Sequence, residues 1–128
     1  MSNLLIDQEF NVKIADFGTA IPIDEKSQEN VGTLAYMPPE IHTNSEYDSK
    51  LFDIYSCGII LFHLLTGVVP FPDADVTKEN CFYSKVMENY TNKTQFKKKY
   101  KNENGISNSA LRLFFALVVQ EPEERLSI

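Results

Sequence analysis

Leu51-Phe52-Asp53-Ile54-Tyr55-Ser56-Cys57-Gly58-Ile59-Ile60-Leu61-Phe62-His63-Leu64-Leu65 is the stretch that organises the chain. Starting from Ser49 or Lys50, its apolar residues cover nearly every face of a helix, and such a helix is expected to be buried all round. Gly67 and then Pro70 end it, since glycine suits the left-handed residue after a helix and proline cannot continue one. Its longest unbroken apolar run, Ile59 to Leu65, is far short of the ~20 residues a membrane span needs and contains His63. No membrane role is expected.

Downstream, Phe82, Val86 and Tyr90 recur at helical spacing, which predicts a second helix from about Thr77 to Tyr90. Asn102-Glu103-Asn104-Gly105 reads as a polar loop. A third helix starts near Ser107 and brings Ala110, Leu111, Phe114, Leu117 and Val118 to one side. Upstream, Leu4-Leu5-Ile6 and Val12-Lys13-Ile14 read as a hairpin joined by polar residues. From Gly18 to Glu40 the pattern dissolves, through Pro22, a charged patch at Asp24 to Glu29, Gly32 and Pro38-Pro39. A loop of that length in a compact domain calls for a functional reason. Spacing alone thus gives an α-rich domain with a small sheet at one end, without repeats or low-complexity segments.

The chain has 128 residues, enough for one domain with its own core. Eighteen acids against twelve bases leave a net charge of -6, which argues against nucleic-acid binding, because phosphate contacts need clustered Lys and Arg. Lys97-Lys98-Lys99 with Lys101 reads as a solvated surface. Cys57 and Cys81 have neither metal-site spacing nor a disulfide framework, and Cys57, inside the apolar run, reads as a buried reduced thiol. With no signal-peptide pattern, an intracellular, cytoplasmic setting is expected.

The chemistry-bearing residues come in a fixed order. Asp16-Phe17-Gly18 follows the second strand; an Asp at a strand end, before a flexible glycine, can hold a metal while the backbone turns away. By itself the tripeptide is equally an Asp-initiated turn. It is followed by Gly32-Thr33-Leu34-Ala35-Tyr36-Met37-Pro38-Pro39-Glu40, by Asp53-Ile54-Tyr55-Ser56-Cys57-Gly58, by Leu64-Leu65-Thr66-Gly67 and Pro70-Phe71, and by Glu121-Pro122-Glu123-Glu124-Arg125-Leu126. In that order the chain resembles the eukaryotic-type protein kinase family, serine/threonine type, over essentially its whole length. The implied fold is mainly α: residues 1–128 as part of the kinase C-terminal lobe, helices around a buried central helix with a small hairpin at the N-terminal end.

The resemblance implies roles position by position. Asp16 corresponds to the family's Mg²⁺-binding Asp, and Asn3 to the catalytic-loop Asn that binds a second Mg²⁺; both would serve ATP. Carboxylate and amide oxygens are the hard ligands that Mg²⁺ prefers. Residues 16–40 correspond to an activation segment, with Gly18 at its flexible start. Thr33 would orient the catalytic Asp, and Thr33, Leu34 and Tyr36 would shape the pocket beside the acceptor residue of a protein substrate. Glu29 stands where many relatives carry a phosphothreonine; it either imitates part of that charge or is an ordinary loop acid, and Ser27 is the nearest phosphorylatable residue. Glu40 and Arg125 correspond to a buried ion pair, Arg gripping the carboxylate with two bonds. Asp53 would accept backbone N–H bonds from the catalytic loop. Pro38 replaces the usual alanine, and His42 and His63 match no catalytic position.

Counting back from Asn3, the family's catalytic Asp falls three positions before Met1. The glycine-rich loop, the ATP-anchoring lysine and the rest of an N-terminal lobe have no counterpart in these residues. The sequence is therefore expected to be a fragment of a longer kinase, inactive alone, with the missing N-terminal lobe as its natural partner. The competing reading is a noncatalytic truncated lobe that binds proteins.

Overall fold

The computed structural model describes residues 2–23, 25–43 and 46–126. Asp24, first in the charged patch, lies outside them. The hairpin forms as expected: β1 (Leu4–Ile6) pairs antiparallel with β2 (Val12–Ile14), with Leu4 opposite Ile14. The turn between them is held by Asp7, whose Oδ1 accepts from the backbone N–H groups of Glu9 and Asn11. These bonds to its ionised form, the Asn11 N–H first among them, hold the Asp7 carboxyl below its ordinary range.

The stretch from Gly18 to Glu40 is not wholly irregular. β3 (Lys26–Ser27) pairs antiparallel with β4 (Tyr47–Asp48), just ahead of the long helix, and the Tyr47 hydroxyl donates to the Glu29 carbonyl at 2.7 Å. Leu34–Tyr36 form one 3₁₀ turn, and α1 (Glu40–Thr43) follows. Two-residue strands carry no alternating apolar signature, so only the partner segment reveals them.

α2 (Ser49–Thr66) is capped by the Asp48 side chain accepting from the Lys50 N–H, and it ends at Gly67 with φ 78°. Only one side is deeply buried, through Tyr55, Gly58, Ile59 and Phe62; Leu64 is 67 % exposed and Cys57 is also exposed. The expectations of all-round burial and of a buried Cys57 are both corrected. Apolarity on every face sets what a helix tolerates, while the packed side is set by which neighbours reach it. By length and composition α2 is apolar enough to cross a membrane, and its Tyr55, Ile59 and Phe62 are built into an aromatic core.

The predicted second helix is shorter and shifted. Thr77–Cys81 are turns, held by Asp75 accepting from Thr77 and by Lys78 pairing with Asp73 at 2.9 Å; α3 covers only Phe82–Glu88. Asn89 then ends α3 and caps α4 (Tyr90–Asn104), accepting from the N–H groups of Thr91 and Asn92. The supposed loop Asn102–Asn104 is thus the last turn of α4, and Gly105 (φ 67°) is its terminator. α4 buries Phe96 alone, too thin a stripe for periodicity to detect. α5 (Asn108–Leu117) begins as expected, Ser107 accepting from the Ala110 N–H, and buries Leu111, Phe114, Phe115 and Leu117.

The core is a pile of rings. Phe62 of α2 meets Phe114 of α5 and Tyr100 of α4 at centroid distances of 4.7 Å, and Phe71 meets Tyr83 edge-on at 5.2 Å. α2 and α5 approach so closely that a Cβ on Gly58 would lie 2.7 Å from Val118 Cγ1. Tyr83 is buried, and its hydroxyl donates to the Val118 carbonyl at 2.8 Å; burial pushes its phenol well up from the ordinary value.

Candidate active-site face and its anchors

Two of the sequence-predicted ligands meet at the open end of the hairpin. β1 and β2 carry Asn3 and Asp16 to the same end because the register sets Leu4 opposite Ile14 and the Ala15 N–H donates to the Asn3 carbonyl. Asn3 Nδ2 donates to Asp16 Oδ2 at 3.2 Å, and Asp16 Oδ1 accepts the Gly18 N–H at 3.3 Å. Asp16 has φ 66°, the left-handed region that Asp tolerates better than most residues, and this bend turns the chain out of the strand. Gly18 closes the bend with its N–H. Both side chains of the pair are exposed.

One carboxylate and one amide oxygen, open to solvent, suit Mg²⁺. That ion keeps several waters and takes one or two protein carboxylates together with substrate phosphates, instead of a closed protein cage. Among the described residues no group of three or more His, Cys, Asp or Glu side chains forms a metal cage.

The predicted ion pair is formed and buried. Arg125 Nη1 donates to Glu40 Oε1 at 2.7 Å and Nη2 to Glu40 Oε2 at 2.6 Å, with the two residues 5 % and 4 % exposed. The remaining guanidinium hydrogens are used as well: Nε donates to the Val119 carbonyl at 2.9 Å and Nη1 to the Leu51 carbonyl at 2.8 Å. The guanidinium carbon also lies 5.2 Å from the Tyr55 ring centre. A buried charge is tolerable only with this degree of satisfaction. The pair thereby joins the start of α1, the first turn of α2 and the segment after α5.

Between these two features runs the turn with the predicted pocket residues. Leu34 is exposed, whereas Tyr36 is fixed to α2 twice: its hydroxyl shares a 3.0 Å hydrogen bond with His63 Nδ1, and its carbonyl accepts from the Ser56 hydroxyl at 2.9 Å. Thr33 stands just before this turn. Ser56 and His63 were not singled out beforehand, although Ser56 lies within the Asp53–Gly58 stretch. His63 matches no catalytic position of the kinase resemblance. His42, on α1, has its Nε2 buried without a hydrogen-bond partner among the described residues.

Asp53 lines a cleft of about 110 Å³ with Thr19, Ser27 and Tyr47. Partial burial pushes its carboxyl above the ordinary range. Cys57, one turn on, has its thiol pushed up by burial and then by the nearby Asp53 carboxylate. The structure therefore brings Asn3 to Asp16 and Glu40 to Arg125, and sets Asp53 in the cleft with Thr19, Ser27 and Tyr47.

A hairpin presenting an Asn–Asp pair, a long connecting segment anchored by a buried Glu–Arg pair, and helices on a central helix is the arrangement expected of the C-terminal lobe of a protein kinase domain. The sequence matches the protein kinase domain over residues 1–128, and the chain belongs to that family. It is 32 % identical over 133 residues to CBL-interacting serine/threonine-protein kinase 13 of Arabidopsis thaliana, covering 100 % of this chain and 24 % of that protein. It is 34 % identical to CBL-interacting protein kinase 16 of Oryza sativa subsp. japonica (98 % of this chain, 26 % of that protein) and 36 % identical to CBL-interacting serine/threonine-protein kinase 15 of Arabidopsis thaliana (98 % and 28 %). The chain spans about a quarter of the length of the curated relatives it matches.

Proposed function

We propose that these residues are the metal-binding and acceptor-side part of an enzyme that moves the γ-phosphate of ATP to serine or threonine hydroxyls of proteins. The observation that carries the reading is the 3.2 Å contact of Asn3 with Asp16 across the hairpin end. Asp16 and Asn3 would hold Mg²⁺, which when bound offsets negative charge on the transferred group. Asp16 contributes a carboxylate whose bond from the Gly18 N–H restrains its orientation. Thr33, Leu34 and Tyr36 would meet the acceptor segment. Tyr36 is suited to that task because His63 and Ser56 hold it from two sides, so the turn is fixed before substrate arrives. Residues 16–40 would be the activation segment, whose far end the Glu40–Arg125 pair keeps tied to the helices.

Phosphoryl transfer requires nucleotide, metal and hydroxyl to be positioned together, and the roles proposed for these residues cover only the metal and acceptor sides. We infer that the 128 residues alone are inactive and depend on an N-terminal lobe. Free thiols at Cys57 and Cys81 fit a reducing, intracellular setting.

The test is radiolabelled phosphate transfer from magnesium-ATP to a mixed Ser/Thr protein substrate. The isolated chain should transfer none. A chimaera in which CBL-interacting serine/threonine-protein kinase 13 of Arabidopsis thaliana supplies the residues ahead of Asn3 should be active. Asp16→Ala should lower that activity on the order of 100-fold or more, since a bound metal is worth several kcal/mol. Transfer by the isolated chain would overturn its inactivity, and a chimaera indifferent to Asp16→Ala would overturn the metal assignment.

A further inference from the structure

A second cavity among the described residues lies away from the hairpin and from the Glu40–Arg125 pair. It lies between α3 and α4, about 380 Å³ in volume, within the range of small-ligand and side-chain pockets. Val86 and Phe96 form its buried side, with Tyr100 beside them, while Phe82 at its edge is 47 % exposed. Lys85 and Lys99, one from each helix, complete the lining and are exposed. Asn92 Nδ2 donates to the Lys85 carbonyl at 2.9 Å, so the two walls are held together by a direct bond and the groove is preformed.

The lining of this groove carries two cations, Lys85 and Lys99, and no acid. The protein carries a net charge of -6, yet α4 contains Lys93, Lys97, Lys98, Lys99 and Lys101 against Glu103 alone. Ion pairs among the described residues include those of Lys13, Lys26, Lys78 and Arg125. None of these involves Lys85 or a lysine of α4. Lys85 Nζ donates instead to a neutral acceptor, Asn80 Oδ1, at 2.8 Å. Lys93 and Lys97 lie over the Phe115 ring at 4.6 and 5.0 Å. Burial and then the neighbouring Lys97 push the Lys93 ammonium below its ordinary value.

We propose that the α3–α4 groove docks an acidic linear segment of a protein partner, seating one phenylalanine against Phe96 and Tyr100 while flanking carboxylates meet Lys85 and Lys99. The apolar cavity supplies the anchor, as buried aromatic pockets do at interfaces, and the lysines supply steering and register. This adds a partner class to the kinase reading but uses no catalytic step, so the two stand or fall separately.

Fluorescence polarisation with the full chain tests it, the probe being a labelled short glutamate-rich peptide with one central phenylalanine. Saturable binding is expected, weakened at least about 10-fold by Lys85→Glu/Lys99→Glu and similarly by replacing the peptide's glutamates with glutamines. It should also weaken when salt is raised to ~0.5 M. Replacing the peptide's phenylalanine by alanine, or Phe82→Ala in the protein, should each weaken it several-fold, and Asp16→Ala should leave it unchanged. Equal binding of the phenylalanine and alanine peptides, indifference to the lysine reversal, or tighter Lys85- and Lys99-dependent binding to phosphatidylserine vesicles than to peptide would each overturn the proposal. If charge reversal unfolds the chain, amide chemical-shift mapping on the unaltered protein decides: shifts at residues 82–100 support the groove, and shifts elsewhere overturn it.

Discussion

Replacing Glu40 by leucine removes the counter-charge of an arginine whose side chain is 0 % exposed. The carbonyls of Leu51, Val119 and Gln120 would still accept from Arg125, but they supply only dipoles. Breaking one side of a buried pair costs about 3–5 kcal/mol, against a total stability of about 5–15 kcal/mol for an ordinary domain. For a chain of 128 residues the unfolding entropy is roughly 0.27 kcal/mol/K, so Tm should fall by about 11–19 °C. Arg125→Met should cost as much or more, because it strands a carboxylate and also orphans the backbone carbonyls, each worth about 1–3 kcal/mol. The double variant Glu40→Leu/Arg125→Met should be clearly less destabilised than the two single effects added together, since it leaves only the carbonyls unsatisfied. Urea denaturation followed by circular dichroism measures all three. Strict additivity, or a loss below ~1 kcal/mol for Glu40→Leu, would refute the claim that this pair holds the lobe together.

Gly58→Ala should destabilise by about 1–3 kcal/mol through overpacking, because the new methyl would sit 2.7 Å from Val118 Cγ1 and 2.9 Å from Leu117 Cβ; thermal unfolding checks it. The Asp53 carboxyl, pushed up by burial, binds its proton more tightly folded than unfolded. Its effect on stability is therefore absent at pH below the unfolded pKa and becomes a penalty as pH rises through the folded one. Asp53→Asn should accordingly raise Tm at pH 7 by more than at pH 3, read from paired melting curves. Cys57, exposed but with a raised thiol pKa, should alkylate more slowly at pH 7.5 than a free cysteine, and Asp53→Asn should speed it by removing the neighbouring charge. Iodoacetamide labelling followed by mass spectrometry reads that difference.

The sequence was most informative in the order of its motifs and in local patterns. Asp16, Glu40 and Arg125 were legible only through the order of the motifs that the kinase resemblance rests on, whereas the hairpin and α5 carried clear patterns of their own. It was least informative where structure depends on a partner segment. β3 exists only through its pairing with Tyr47–Asp48. The packed side of α2 is selected by Leu117 and Val118 across Gly58, whereas the apolar pattern of α2 itself pointed in all directions. α4 was hidden by its lysines: with Phe96 its sole buried residue, no apolar stripe announced it, and Asn102–Asn104 looked like a loop until Gly105 was seen to terminate a helix. The bond between Tyr36 and His63 joins residues 27 positions apart, a distance that local spacing does not bridge.

The hairpin metal site is tested most directly by manganese, which broadens the NMR signals of nearby nuclei. In ¹⁵N-labelled chain titrated with manganese and ATP, the amide signals of Asn3, Asp16, Phe17 and Gly18 should broaden first, and Asp16→Asn should abolish the effect. Broadening centred instead on the Asp73–Asp75 turn, or unchanged by Asp16→Asn, would contradict the account.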